Sequence, residues 1–176
     1  MMSKKRIGIF AGSFDPLTNG HVDLLIRSSE IFDEVILLIA VNTSKKTWFT
    51  PNERLVLAEK VTKDLPKVRV DMLKDGLIAT YFKEANATAM IRGVRNGNDF
   101  EYESAIASAN EKQYEGFETV IFLASEQYRY LSSSLIKEIA YFDGDIMEMV
   151  PVEVEEAMQE KVRELKAQDK SEGEIQ

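Results

Sequence analysis

Cysteine is absent from the 176-residue chain and histidine occurs once, as His21. Without thiols there is no disulfide framework, no cysteine nucleophile and no thiolate-held zinc. A lone imidazole likewise excludes a multi-histidine metal centre. Positive charge is scarce: 22 Lys and Arg stand against 30 Asp and Glu, a formal net charge of -8. An acidic body repels phosphate backbones and anionic lipid, so nucleic acid and membrane are excluded as general partners. A phosphate site must then be a local arrangement of dipoles and a few cations. Long apolar runs are also missing. The basic start Lys4-Lys5-Arg6 precedes only Ile7 to Ala11, too short for the apolar region of a signal peptide, and no stretch approaches a membrane span. The compartment expected from these absences is the cytoplasm. Repeats, low-complexity tracts and linker-like shifts in composition are absent as well, so a single domain over 1–176 is expected, with 168–176 as a polar, frayed tail.

What is present alternates. Ile7 to Ala11 is a short apolar run that reads as a buried strand, and Val22, Leu25, Ile26 and Phe32 follow at helical spacing. Glu34 to Val41 is apolar almost throughout, as a central parallel strand covered on both faces must be. Thr50-Pro51-Asn52-Glu53 opens a helix with a capping box and proline at the first position; Leu55, Val56, Leu57 and Val61 are its expected inner face. Strands follow at Lys67 to Met72, Thr88 to Ile91 and Thr119 to Ala124. Helices are expected at Leu77 to Ala85, Asp99 to Tyr114, Ser134 to Phe142 and Val152 to Lys166. Five strands alternating with helices predict an α/β fold of the Rossmann-like, doubly wound kind: a five-stranded parallel sheet with helices on both faces. Ligands of such sheets bind beyond the carboxyl ends of the strands, where chain direction switches.

Four polar segments compete for that edge. Gly12-Ser13-Phe14-Asp15-Pro16, then Thr18-Asn19-Gly20-His21, joins the first strand to the first helix. Thr18 or Asn19 can cap that helix, whose start is a ready anion site, and His21 falls in its first turn. The same residues read alone as a simple turn with a capping histidine. Neither the Walker pattern nor Gly-x-Gly-x-x-Gly occurs in the chain. Ser44-Lys45-Lys46 after the second strand is either solvated surface or a source of one phosphate-binding cation. Arg92-Gly93-Val94-Arg95 after the fourth strand offers two guanidinium groups that can grip phosphate with two parallel bonds each. Asp99 and Glu101 suit a helix start in any case, whereas Glu103 is placed to face a site. Tyr128-Arg129-Tyr130-Leu131-Ser132-Ser133-Ser134, with Lys137 beyond, supplies more hydroxyls at a helix start than capping alone requires.

Together, Gly-Ser-Phe-Asp-Pro-x-Thr-x-Gly-His, Ser-Lys-Lys, Ile-Arg-Gly-x-Arg, Asp-Phe-Glu-Tyr-Glu and Ser-Ser-Ser-x-x-Lys resemble the bacterial phosphopantetheine adenylyltransferase family. The resemblance runs from Ile7 to about Lys161 in the family's motif order. The Thr-x-Gly-His element alone marks the wider nucleotidyltransferase superfamily; the Ile-Arg-Gly-x-Arg and Asp-Phe-Glu-Tyr-Glu blocks narrow it. Val94 replaces a common leucine, and Asn96-Gly97-Asn98 replaces an Ala-Val-Ser-like stretch, with no loss of charge.

The resemblance implies adenylyl transfer from ATP to 4'-phosphopantetheine, yielding dephospho-coenzyme A and pyrophosphate. It implies catalytic roles for His21 and Lys45. It also implies acceptor contacts from Ser13, Lys45, Ile78 and Arg92. ATP contacts fall to Ser13, Phe14, His21, Gly93, Val94, Arg95, Glu103 and Tyr128 through Ser134 (Tyr128, Arg129, Tyr130, Leu131, Ser132, Ser133, Ser134). Magnesium carried on the ATP phosphates, a homohexamer and feedback inhibition by coenzyme A are further implications, with no metal ligands supplied by the protein. The apolar stretch Ile146 to Val150 is a candidate interface segment. The rival readings are another small adenylyl- or cytidylyltransferase and a nucleotide-binding module without catalysis.

Overall fold

The computed structural model describes residues 4–41 and 46–173. Five strands, β1 (Ile7–Gly12), β2 (Glu34–Ala40), β3 (Val68–Leu73), β4 (Ala89–Val94) and β5 (Thr119–Leu123), form one sheet in the order β3-β2-β1-β4-β5. Every neighbouring pair is parallel; Gly8 lies opposite Val35 on one side of β1 and Ala89 on the other. The connecting helices are α1 (Asn19–Ile31), α2 (Pro51–Thr62), α3 (Ile78–Glu84), α4 (Gly97–Gln113), α5 (Ser133–Tyr141) and α6 (Val152–Gly173), and a 3-10 turn spans Glu126–Tyr128.

Side chains alternate across the strands, so each apolar strand feeds two cores at once. Phe10 of β1 and Val35, Leu37 and Ile39 of β2 pack with Leu24, Leu25, Leu57, Ile136, Val154 and Met158. Ile9, Ala11, Ile36 and Leu38 pack on the opposite face with Ala79, Phe82, Met90 and Phe117. The first core is covered by α1, α2, α5 and α6, the second by α3 and the segment after α4. The sheet is therefore doubly wound, as the alternation in sequence predicts. From β1 the chain builds outward through β2 to β3, then returns to the other side of β1 with β4. The crevice between the carboxyl ends of β1 and β4 is the switch point.

Local start signals hold. Thr50 Oγ1 accepts from Glu53 N at 3.2 Å and Glu53 Oε2 accepts from Thr50 N at 2.6 Å, with Pro51 at the first position of α2. Several boundaries and faces differ from expectation. β4 runs on through Arg92 and Gly93 to Val94, so these residues belong to the strand rather than to a loop after it. The buried face of α2 is Arg54, Leu57, Ala58 and Thr62, while Val56 is 47% exposed; at 3.6 residues per turn it falls opposite Ala58. Helix α6, buried through Val154, Met158 and Val162 at four-residue spacing, continues past Lys166 to Gly173, so 168–173 are helical rather than a frayed tail. Ile146 and Val150 are core residues, which removes them from any interface; Met147 between them is exposed.

Two glycines set how closely these layers approach. A Cβ on Gly8 would lie 2.6 Å from Ile91 Cδ1 and 2.9 Å from Phe32 Cδ2, and one on Gly93 would lie 2.4 Å from Leu24 Cδ1. The neighbours of Gly8 are both buried. Gly8→Ala is therefore expected to cost about 1–3 kcal/mol by overpacking, read as a lower urea midpoint at an unchanged slope. An unchanged midpoint would mean that Phe32 and Ile91 give way freely.

Candidate active site

The turn from β1 into α1 is built before any ligand is considered. Thr18 caps α1, its Oγ1 accepting from His21 N at 3.3 Å, while His21 Nδ1 accepts the Thr18 N–H at 3.0 Å. The imidazole thus fills the place that glutamate takes in an ordinary capping box. Because Nδ1 is an acceptor, the proton of the neutral ring sits on Nε2. The ring stands edge-on to Phe14, with centroids 5.1 Å apart, and 6.0 Å from that of Phe10. Burial among these rings, and then the charge of Arg95, push the His21 pKa down to about 4. His21 is accordingly a neutral N–H donor at pH 7, held in one tautomer.

Phe14 itself has φ of +46°, the left-handed region that non-glycine residues avoid, yet is 5% exposed. The turn is held there by its neighbours. Asp15, 3% exposed, accepts Trp48 N at 3.0 Å, Phe49 N at 2.9 Å and Lys137 Nζ at 2.9 Å. Ser133 Oγ donates to Pro16 O at 2.9 Å, and Ser132 caps α5 by accepting Leu135 N at 3.1 Å. One carboxylate therefore fastens the first turn to the segment entering α2 and to the first turns of α5. Asp15 and Lys137 belong to separate motifs 122 residues apart, so their pairing is not visible in the sequence.

On the β4 side, Arg92 Nε and Nη2 donate to the two oxygens of Glu103, each at 2.6 Å, and Nη1 donates to Ala11 O at 2.7 Å. Arg95 makes the analogous pair with Asp99 through Nε and Nη2, at 2.7 and 3.1 Å, and donates from Nη1 to Leu131 O at 3.0 Å. Both guanidinium groups are oriented by carboxylates on the following helix. Glu103 is the only buried residue of α4, and its engagement of Arg92 gives it an orienting part that spacing alone did not reveal.

These parts enclose one cleft of about 370 Å³ at the switch point, within the range of small-molecule sites. Of the residues singled out in the sequence, Ser13, Phe14, His21, Arg92, Gly93, Arg95, Glu103, Tyr128, Leu131, Ser132 and Ser133 line it. Ile78 packs at the edge of the opposite core, and Val94 and Arg129 line a separate small groove with Phe100 and Leu123. Tyr130 and Ser134 are exposed and do not line the cleft. Lys45 lies outside the described residues. Among the described residues no group of three His, Cys, Asp or Glu could hold a metal ion, and the acids of the cleft, Asp99 and Glu103, are engaged by arginines. No helix among those residues is long and apolar enough to cross a membrane.

Because His21 is the sole histidine, its state is directly measurable. Imidazole NMR is expected to show the Nε2–H tautomer at pH 7 and a titration midpoint near 4, with a midpoint near 6.5 indicating a solvated ring. The unfolded imidazole, at about 6.5, binds a proton that the folded one refuses. The stability His21 contributes is thus complete above pH 6.5 and is lost as pH falls towards 4. His21→Gln is expected to flatten that part of the stability profile.

The geometry fits the comparisons with known proteins. A crystal structure of a protein assigned as a nicotinate-nucleotide adenylyltransferase from Vibrio parahaemolyticus superposes with a TM-score of 0.65 over 90% of this chain and 95% of that one, at 20% identity. At that identity the likeness speaks for the fold. The model of the family described as cytidylyltransferase-like matches residues 9–139, a span that takes in the cleft-lining turn, both arginines and the α5 serines. The chain belongs to the cytidylyltransferase-like family, within the nucleotidyltransferase superfamily of enzymes.

Proposed function

We propose that the chain transfers the adenylyl group of ATP to 4'-phosphopantetheine, releasing pyrophosphate and forming dephospho-coenzyme A in the cytoplasm. The observation that carries this reading is the convergence of the His21 N–H, Arg92, Arg95 and the starts of α1 and α5 on one cleft. The Ile-Arg-Gly-x-Arg and Asp-Phe-Glu-Tyr-Glu blocks supply the choice of acceptor, by resemblance to phosphopantetheine adenylyltransferases.

An oxygen of the acceptor's phosphate attacks the α-phosphorus of ATP in line. The new P–O bond forms as the bond to the bridging oxygen of pyrophosphate breaks, and pyrophosphate leaves with that electron pair. The attacking group is already an anion at neutral pH, so no general base is needed, which suits a site whose one imidazole is neutral with Nδ1 occupied. What the protein supplies is positioning and N–H donors aimed at charge that builds on the transferring phosphoryl oxygens. His21 Nε2–H is one such donor. Arg92, held by Glu103, retains N–H groups on Nη1 and Nη2 for the acceptor's phosphate. Lys45 adds a further cation in this reading. Magnesium arrives on the ATP phosphates as part of the substrate, in keeping with a cleft whose carboxylates are committed to arginines.

The deciding measurement is pyrophosphate release with ATP or CTP and, as acceptors, 4'-phosphopantetheine, nicotinate mononucleotide or glycerol phosphate. Release is expected only with ATP and 4'-phosphopantetheine. Release with nicotinate mononucleotide would move the chain to the activity assigned to its structural neighbour, and no release with any acceptor would leave a binding module. His21→Ala is expected to lower kcat on the order of 10²- to 10³-fold, the cost of losing one oriented donor, with ATP KM nearly unchanged. Arg92→Ala is expected to raise the KM for 4'-phosphopantetheine sharply. A homohexamer inhibited by coenzyme A belongs to the same proposal, to be read by light scattering and inhibition kinetics.

A further inference from the structure

Arg54 is the buried cation that the proposed chemistry does not use. It lies on the inner face of α2, 3% exposed, and its Nη1 donates to Ser13 O at 2.6 Å. Among the described residues its buried Nε has no hydrogen-bond partner. A buried guanidinium with an unsatisfied N–H is costly, so packing alone is a poor reason for its presence. Burial lowers its pKa, and the charge of Asp15 partly offsets that; an arginine remains a cation all the same. Asp15 is also the carboxylate that Lys137 contacts. Two cations thus share one anion, leaving a net positive charge beneath the Ser13–Phe14 turn, where low dielectric extends its reach.

The position of the bond matters as much as the charge. The Ser13–Phe14 peptide is trans, since the one cis bond among the described residues is Asp15-Pro16. In a trans peptide the carbonyl and the following N–H point in opposite directions. With Ser13 O drawn towards a buried guanidinium, the Phe14 N–H is turned the other way, and both residues line the cleft. Among the described residues that N–H has no hydrogen-bond partner. The positive φ of Phe14 belongs to the same arrangement.

We infer that Arg54 is a positioning residue for the phosphate site: by anchoring the Ser13 carbonyl from below, it aims the Phe14 amide at a bound phosphate and holds a buried positive charge under it. This rests on the reading of the cleft as an ATP site. It assigns Arg54 a part that neither the motifs nor the cleft lining indicate.

The test uses amide NMR of the full chain titrated with ATP and, separately, with pyrophosphate, so that it does not depend on turnover. In the unaltered protein the Phe14 amide is expected to move downfield with ligand, together with Ser133 and Gly93. In Arg54→Met the Phe14 response is expected to be lost while Ser133 still responds; Arg54→Lys restores part of it. In kinetics, Arg54→Met lowers kcat on the order of 10²-fold with KM for ATP little changed, a split that loss of folded protein does not produce. Should Arg54→Met fail to fold, Arg54→Gln takes its place. A full Phe14 response in either variant overturns the inference. So does a Phe14 amide in the unaltered protein that stays still while other cleft amides move. Silence of every cleft amide towards both ligands instead overturns the ATP-site reading, and the inference with it.

Discussion

A single buried carboxylate holds the site together. Asp15 accepts two backbone N–H groups at Trp48 and Phe49 and the amine of Lys137, and through them the exits of β1 and β2 are tied to α5. None of these segments is part of the sheet. The two strand exits are connections that would otherwise be free to move on their own, as loops generally are. With its acceptor sites filled by donors from two other parts of the chain, the carboxylate repays its desolvation and fixes two connections and a helix by one point. The left-handed backbone at Phe14, the capped start of α1 and the seating of Ser133 on Pro16 all lie within two or three residues of that point or of its partners.

The electrostatic character that follows differs from a simple basic patch. Arg92 and Arg95 face Glu103 and Asp99, His21 is neutral, and Lys137 is shared with Asp15. An acidic protein thereby keeps cations in its cleft without offering bare charge to every passing polyanion. Orientation is gained as well: a guanidinium held in a two-bond fork has lost its rotational freedom before any ligand arrives, so little reorganisation is left for the reacting complex.

Much of this was legible in the residues, and the boundary is physical. The doubly wound sheet followed from apolar runs alternating with helical spacing, and the Thr50 capping box from four adjacent residues. The cleft lining was largely readable because its turns carry their chemistry locally, in Ser13 to His21 and Leu131 to Ser133. What could not be read was tertiary pairing. The partners of Asp15 lie 33, 34 and 122 residues away, and nothing local distinguishes Arg54, buried, from Val56, exposed, except the phase of the helix. Apolarity favours Val56 for the inner face; the bond from Arg54 to Ser13 O places the charged residue there instead. The histidine was placed correctly in the first turn, but its charge state depends on Phe10, Phe14 and Arg95 closing around it, a property of the assembled site.

One methyl-sized gap has a consequence beyond stability. Gly93 follows Arg92 in β4 and lines the cleft with it, and Leu24 of α1 occupies the space a side chain there would need. The helix that carries His21 at its tip therefore rests directly on the strand that carries Arg92. The span from the imidazole to the guanidinium is gauged by bare backbone, like a calliper closed on its stop. A side chain at 93 would have to displace the tip of Leu24, so the load falls first on the contact that sets the spacing between the two groups.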